Sequence, residues 1–314
     1  MKLILLLLVV GCAPLRAGSA PPFTLESALA SIARSHPEAT AVDEALPPGV
    51  VARENLVYAK RGDGVLELDV YRKADTVVRP AVLLVHGGGW VAGSRTMERS
   101  FARHLAARGY VAVPVSYRLG PEGRFPGAIH DLKAAVRWLR DHAREFSLHP
   151  EKVGILGGSA GATLATFVGA TNGRDDYEGP EAAGGSSSQV QAVVNIDGLA
   201  TFADNALIAQ SEGPPSPYYV YQHGTYRTAR DTWVEASPLH HVGPGSAPTL
   251  FIKSTTLRPL LPGRDEMAAR LRILGIDSEV VQFDNTPHVF WLFHPWFERC
   301  VETADRFLQR HLQP

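Results

Sequence analysis

The sequence predicts an α/β fold: a mostly parallel central sheet with helices on both faces, opened by an antiparallel N-terminal hairpin and interrupted by a small cap insertion. Three observations predict it. Six short apolar runs alternate with helical periodicities, and two segments of alternating apolar and polar residues flank a Gly-Asp-Gly turn ahead of them. A Gly-x-Ser-x-Gly turn then joins one of the runs to the helix behind it. The 314 residues, 45% hydrophobic and 20% charged, allow a sizeable core and exclude disorder as the main state. Lys and Arg total 31 against 32 Asp and Glu, a net charge of −1, so bulk electrostatics favour neither nucleic acid nor an anionic membrane surface as partner.

The elements follow in order. Lys2 and the apolar run Leu3–Val10, too short to span a bilayer, read as a secretory signal. Its end allows two readings. Val9-Val10-Gly11-Cys12 resembles a lipobox, which would place a lipid on Cys12 and attach the protein to a membrane; a plain cleavage site near Ala17-Gly18-Ser19 would give simple secretion. Residues 1–20 are thus expected to be a signal peptide, and the expected location is secreted, periplasmic or outer-membrane. Residues 21–50, with one weakly amphipathic stretch at Leu25–Ala33, read as an arm or tether, and 51–314 as the main domain. Cys12 and Cys300 are too few for a disulfide framework and lack zinc-site spacing; Cys300 is expected to be a small buried hydrophobe on the last helix.

Asn55–Lys60 and Val65–Tyr71 around Gly62-Asp63-Gly64 form the hairpin. Ala81–Val85, Tyr110–Val115, Lys152–Leu156, Val190–Ile196, Thr249–Ile252 and Ser278–Phe283 are short, nearly continuous apolar runs, as strands covered on both faces are. Helical patterns lie at Met97–Arg108, Gly127–Glu145, Ala160–Ala170, Gly263–Leu274 and Trp296–Leu312. The stretch 184–188 reads as a surface loop, and about 200–246 as the cap insertion.

Three motifs carry chemistry. Gly157-Gly158-Ser159-Ala160-Gly161 has the strand before and the helix after it that a nucleophile turn requires, with small residues permitting a sharp bend that exposes Ser159. A phosphate-binding glycine turn with Asp175 as its acid is the competing reading, and Asp175 ends no predicted strand. His86-Gly87-Gly88-Gly89-Trp90 follows the strand Ala81–Val85. The amides of Gly88 and Gly89, beside that of Ala160, could meet the charge on a carbonyl oxygen. His288, in Asn285-Thr286-Pro287-His288 after the last strand, could take and return the Ser159 proton, with His294 in reserve.

These motifs, together with Ser116-Tyr117-Arg118-Leu119 and the Asp131–Leu139 helix, resemble the α/β-hydrolase superfamily, in its hormone-sensitive-lipase and bacterial feruloyl-esterase-like branch, over about residues 55–312. The tail Thr286–Phe297 is similar to secreted bacterial carbohydrate esterases. The resemblance implies a serine esterase that needs no metal or organic cofactor and cleaves short acyl or methyl esters on plant cell-wall carbohydrate through an acyl-enzyme. A small-ester lipase, or a catalytically silent carbohydrate-binding protein on the same fold, are the alternatives. In one respect the sequence departs from the branch. After Thr249–Ile252, where relatives carry the triad acid, none occurs before Asp265 and Glu266 at a helix start, whereas Asp197 ends the preceding strand. Asp197 is therefore ranked first as the acid, with Asp265 and Glu266 as alternatives. Trp90, Tyr218, Tyr219, Arg258 and Trp291 are candidate substrate contacts. Tyr218, Tyr219, Tyr221, Tyr226 and Trp233 could stack on sugar rings or simply cover the core, and Arg258 and Arg264 could meet uronate carboxylates.

Overall fold

Val50–Arg61 (β2) and Gly64–Lys73 (β3) pair antiparallel around the glycine turn, and β3 pairs antiparallel with Val111–Val115 (β5). From there the sheet is parallel. With Arg79–Val85 (β4), Leu148–Gly158 (β6), Ala192–Ile196 (β7), Thr249–Ser254 (β8) and Ser278–Phe283 (β9), its order is β2-β3-β5-β4-β6-β7-β8-β9. A separate two-residue pairing joins Thr40–Ala41 (β1) to Phe293–His294 (β10). The computed structural model describes residues 23–180, 185–211, 216–255 and 261–312; Cys12, Arg258 and the N-terminal apolar run lie outside them.

The pleat sorts the strand residues between two layers. Ala81, Leu83 and Val85 of β4 face a layer containing Gly127–Asp141 (α3) and Ala160–Ala170 (α5), and Val82 and Leu84 face one containing Arg99–Ala107 (α2) and Phe297–Leu312 (α10). Coverage of both faces explains why these strands read as continuous apolar runs. Helix Leu25–Ile32 (α1) starts in a capping box between Thr24 and Ser27, and Ala28, Ile32 and Val42 join the second layer, so residues 23–50 lie against the main domain.

The helix expected over 127–145 is divided. His142 departs from helical geometry and stacks on Trp138 (ring centroids 3.9 Å apart), a short Ala143–Phe146 (α4) follows, and left-handed Ser147 turns the chain into β6. The insertion carries Asn205–Ser211 (α6), Pro217–Gln222 (α7) and Arg230–Glu235 (α8), and Arg264–Ile273 (α9) precedes β9. Trp233, Tyr221 and Phe202 are buried in the first layer, so most of the aromatic cluster is the insertion's own core. No helix among the described residues is long and apolar enough to cross a membrane.

Candidate active site

Strand register determines what meets at the sheet's C-terminal edge. Gly158 pairs with Ile196, and Ile196 with Ile252. Ser159 and Asp197 are therefore the first residues beyond one row of the sheet, held there by hydrogen bonds from Ser159 N to Ile196 O (2.8 Å) and Asp197 N to Ile252 O (2.9 Å). Both have positive φ, 53° and 54°. Such a conformation costs a non-glycine residue about 1–3 kcal/mol and persists only where the surroundings over-determine it.

Small residues make the bend possible. A Cβ on Gly157 would stand 2.4 Å from the Gly161 backbone, and one on Gly158 would lie 2.3 Å from the Trp291 ring. Strand, bend and helix are thus packed to backbone contact, and Ser159 projects from the tip.

His288, on the loop after β9, completes a line. Its Nε2 lies 2.8 Å from Ser159 Oγ, and its Nδ1 lies 3.0 Å from Asp197 Oδ2. Asp197 is fully buried and accepts three further bonds: from Ser254 N (2.9 Å) and Arg264 Nη1 (2.9 Å) on Oδ1, and from Ser254 Oγ (2.6 Å) on Oδ2. Burial alone would raise its pKa. The hydrogen bond and charge of His288, the Ser254 bond and the Arg264 guanidinium outweigh burial and hold the carboxyl below its ordinary value. At the end of β8, where the resemblance led an acid to be expected, stands Ser254, a donor to Asp197.

The glycine loop lies opposite. Gly88 and Gly89 both have positive φ (118° and 61°), and among the described residues neither amide donates to a backbone carbonyl, whereas the Gly88 carbonyl accepts from Val91 and Ala92. His86 anchors the loop: Nδ1–H donates to Gly87 O (2.8 Å), the ring stacks on Tyr117 at 4.5 Å, and Tyr117 Oη–H donates to His86 O (2.8 Å). Burial, only partly opposed by the bond to Gly87, pushes the His86 pKa down to about 4, so this ring is neutral. Gly89, Trp90, Ser159, Ala160, Tyr218 and His288 line a cavity of about 230 Å³, closed further by Thr163, Leu199, Pro217 and Leu261. Among the described residues no cluster of His, Cys, Asp or Glu could hold a metal ion.

The BD-FAE family model matches residues 68–259, more than half of the chain. The chain belongs to the BD-FAE family. This BD-FAE chain is 31% identical over 218 residues to the esterase LipC of Mycobacterium tuberculosis, covering 67% of itself and 54% of LipC. It spans about half the length of such curated relatives. Among solved structures it is similar to a thermophilic esterase of Thermogutta terrifontis (28% identity, TM-score 0.67, 85% of this chain and 95% of the other). It is also similar to a bifunctional GH43-CE protein of Bacteroides eggerthii (25% identity, TM-score 0.71, 82% and 38%). The BD-FAE chain is thus an α/β hydrolase of the hormone-sensitive-lipase and feruloyl-esterase-like branch.

Other expected site residues of the BD-FAE chain fall elsewhere. Asp265 is largely exposed and pairs with Lys253 (2.7 Å), and Glu266 pairs with Arg270 one helical turn on (2.7 Å). Neither bonds to His288. His294 pairs with Glu298. Trp291, expected as a substrate contact, does not line the cavity: it is buried behind Gly158, edge-on to His288 (centroids 5.7 Å, 82°), with Nε1–H toward Glu98 Oε1 at 3.4 Å. Tyr219 is exposed and does not line the cavity, because the turn of α7 that brings Pro217 and Tyr218 inward carries it outward. Arg264 is buried on Asp197 and unavailable to a uronate. Ser254, Arg264 as a carboxylate partner and Glu98 carry no sequence pattern that marks them; only the fold shows their positions.

Proposed function

We propose that this chain is a serine carboxylesterase that hydrolyses short acyl esters through an acyl-enzyme. The observation that carries the reading is the hydrogen-bonded line from Ser159 through His288 to buried Asp197, opening into an apolar cavity beside free loop amides. Ser159 Oγ attacks the ester carbonyl while its proton passes to His288 Nε2, and Asp197 stabilises the imidazolium through Nδ1–H. The amides of Gly88, Gly89 and Ala160 hold the negative oxygen. Collapse breaks the bond to the leaving alkoxide, which takes the proton from His288; water repeats the cycle, releasing the acid and freeing Ser159.

The cavity of about 230 Å³, walled by Trp90, Tyr218, Leu199 and Leu261, suits a small acyl group. Structures of the Thermogutta esterase with propionate and butyrate bound support the same size class. The expected result is that kcat/KM is highest for acetyl to butyryl p-nitrophenyl esters and falls toward decanoyl and longer ones. Faster cleavage of long chains would contradict it.

The alcohol is proposed to be carbohydrate. Likeness to the GH43-CE protein supports this, and the commitment of Arg264 to Asp197 favours acetylated sugars over methylated uronates. Acetate released from acetylated xylan, with no methanol from methylated pectin, is the expected outcome. Activity on p-nitrophenyl acetate with no release from either polymer would restrict the function to small esters.

The apolar run after Lys2 and the sequence ending at Cys12 support export and lipid attachment. Replacing Cys12 by Ser should move the protein from the membrane fraction to the soluble one; equal solubility of wild type and variant would contradict anchoring.

A further inference from the structure

Beneath the site lies a carboxyl that the proposed chemistry does not use. Glu98 ends the 3₁₀ turn Arg95–Glu98 and is 1% exposed. Although it occupies the residue position before α2, its side chain makes no capping bond. Oε1 receives the Trp291 indole N–H, and among the described residues Oε2 has no hydrogen-bond partner. The same edge of the indole, Nε1 with Cε2 and Cζ2, is the one that backs onto Gly158, and the ring meets His288 edge-on. One side chain thus touches the bend that presents Ser159 and the imidazole that serves it, and its only polar bond goes to Glu98.

We infer that Glu98 is a positioning residue: its carboxyl, through the Trp291 indole, fixes the distance between the Ser159 turn and the His288 ring. This rests on the esterase reading above. The surroundings favour the neutral form of the carboxyl. Among the described residues Tyr117, beyond β5, and Cys300, on α10, sense it; burial first, and then Glu98 itself, push both upward, so neither supplies a charge of opposite sign. Its neighbours Arg95 and Arg99 are engaged with Asp69, Glu67 and Glu54. Burial raises the Glu98 pKa to about 8, with the Trp291 bond only partly opposing it. Above that pH the ionised group, without a counter-charge, pulls on the indole N–H and draws in water. Trp291 is thereby drawn toward Glu98 and shifts against Gly158 and His288.

Three measurements test this. In Glu98→Leu, which keeps the bulk and removes the acceptor, kcat for p-nitrophenyl acetate should fall about three- to tenfold with KM little changed, the scale of one hydrogen bond. Glu98→Gln keeps an acceptor that cannot ionise. It should recover most of that kcat and lose the wild-type fall in kcat above pH 8. Tryptophan emission should show a transition near pH 8 in wild type and in Ser159→Ala but not in Glu98→Gln. This last signal needs no turnover, so an inactive wild type that retains the transition would sink the esterase reading and leave the Glu98 titration standing. A Glu98→Leu enzyme with wild-type kcat, or a Glu98→Gln enzyme with the wild-type alkaline fall, would overturn the inference.

Discussion

Ser159→Ala is expected to abolish ester turnover, by about 10⁶-fold in kcat if the three residues act as the unit the geometry describes. The hydroxyl is the only nucleophile in the line, and its loss leaves the His288–Asp197 bond without a proton to move. The fold should be unaffected, because the positive-φ bend is held by backbone bonds from Ser159 N and Thr163 N and by the packing of Gly158 on Trp291, none of which involves Oγ. Substrate should still bind. A folded Ser159→Ala protein with turnover near wild type would contradict the mechanism, with kcat on p-nitrophenyl acetate and thermal unfolding measured together.

Asp197→Asn is expected to cost roughly 10⁴-fold in kcat with little loss of binding. Two donors, Ser254 N and Arg264 Nη1, point at Oδ1, so the amide oxygen of the asparagine must occupy that place. The NH₂ group then replaces Oδ2 and faces His288 Nδ1. A donor there forces the imidazole into the tautomer whose Nε2 carries the hydrogen, and such a ring cannot accept the Ser159 proton. Asp265→Asn, which breaks only an exposed pair with Lys253, should leave turnover nearly unchanged. A near-wild-type Asp197→Asn beside a crippled Asp265→Asn would return the acid to the loop after β8.

How much of this could be read in the sequence depends on how local each signal is. The strands and their mostly parallel arrangement are legible because burial on both faces leaves nearly continuous apolar runs, and the hairpin because Gly62 and Gly64 punctuate an alternation. Ser159 and the His86–Trp90 loop are legible because backbone contact demands glycine at fixed places. Asp197 is visible as a carboxylate at a strand end, but its hydrogen-bonded shell is not. Ser254 and Arg264 arrive from β8 and α9, 57 and 67 positions further along the chain. Arg264, Tyr219 and Trp291, expected to meet substrate, stand away from the cavity for a shared reason. Composition marks a side chain as able to touch substrate, while the direction it takes is decided by packing: Arg264 toward a buried carboxylate, Tyr219 outward on its turn, Trp291 beneath Gly158. The break at His142 is equally silent, since every residue from 127 to 145 tolerates a helix and only the need to enter β6 ends it.

The most direct test of the central claim is to identify the atom that becomes acylated. Wild-type protein mixed with excess p-nitrophenyl acetate and quenched in acid before deacylation should carry one acetyl group per chain, located by peptide mass spectrometry on Ser159. The group should be absent from Ser159→Ala treated identically and should accumulate far more slowly in Asp197→Asn. Turnover of the ester with no acetyl on Ser159, or with the acetyl on another side chain, would contradict the account.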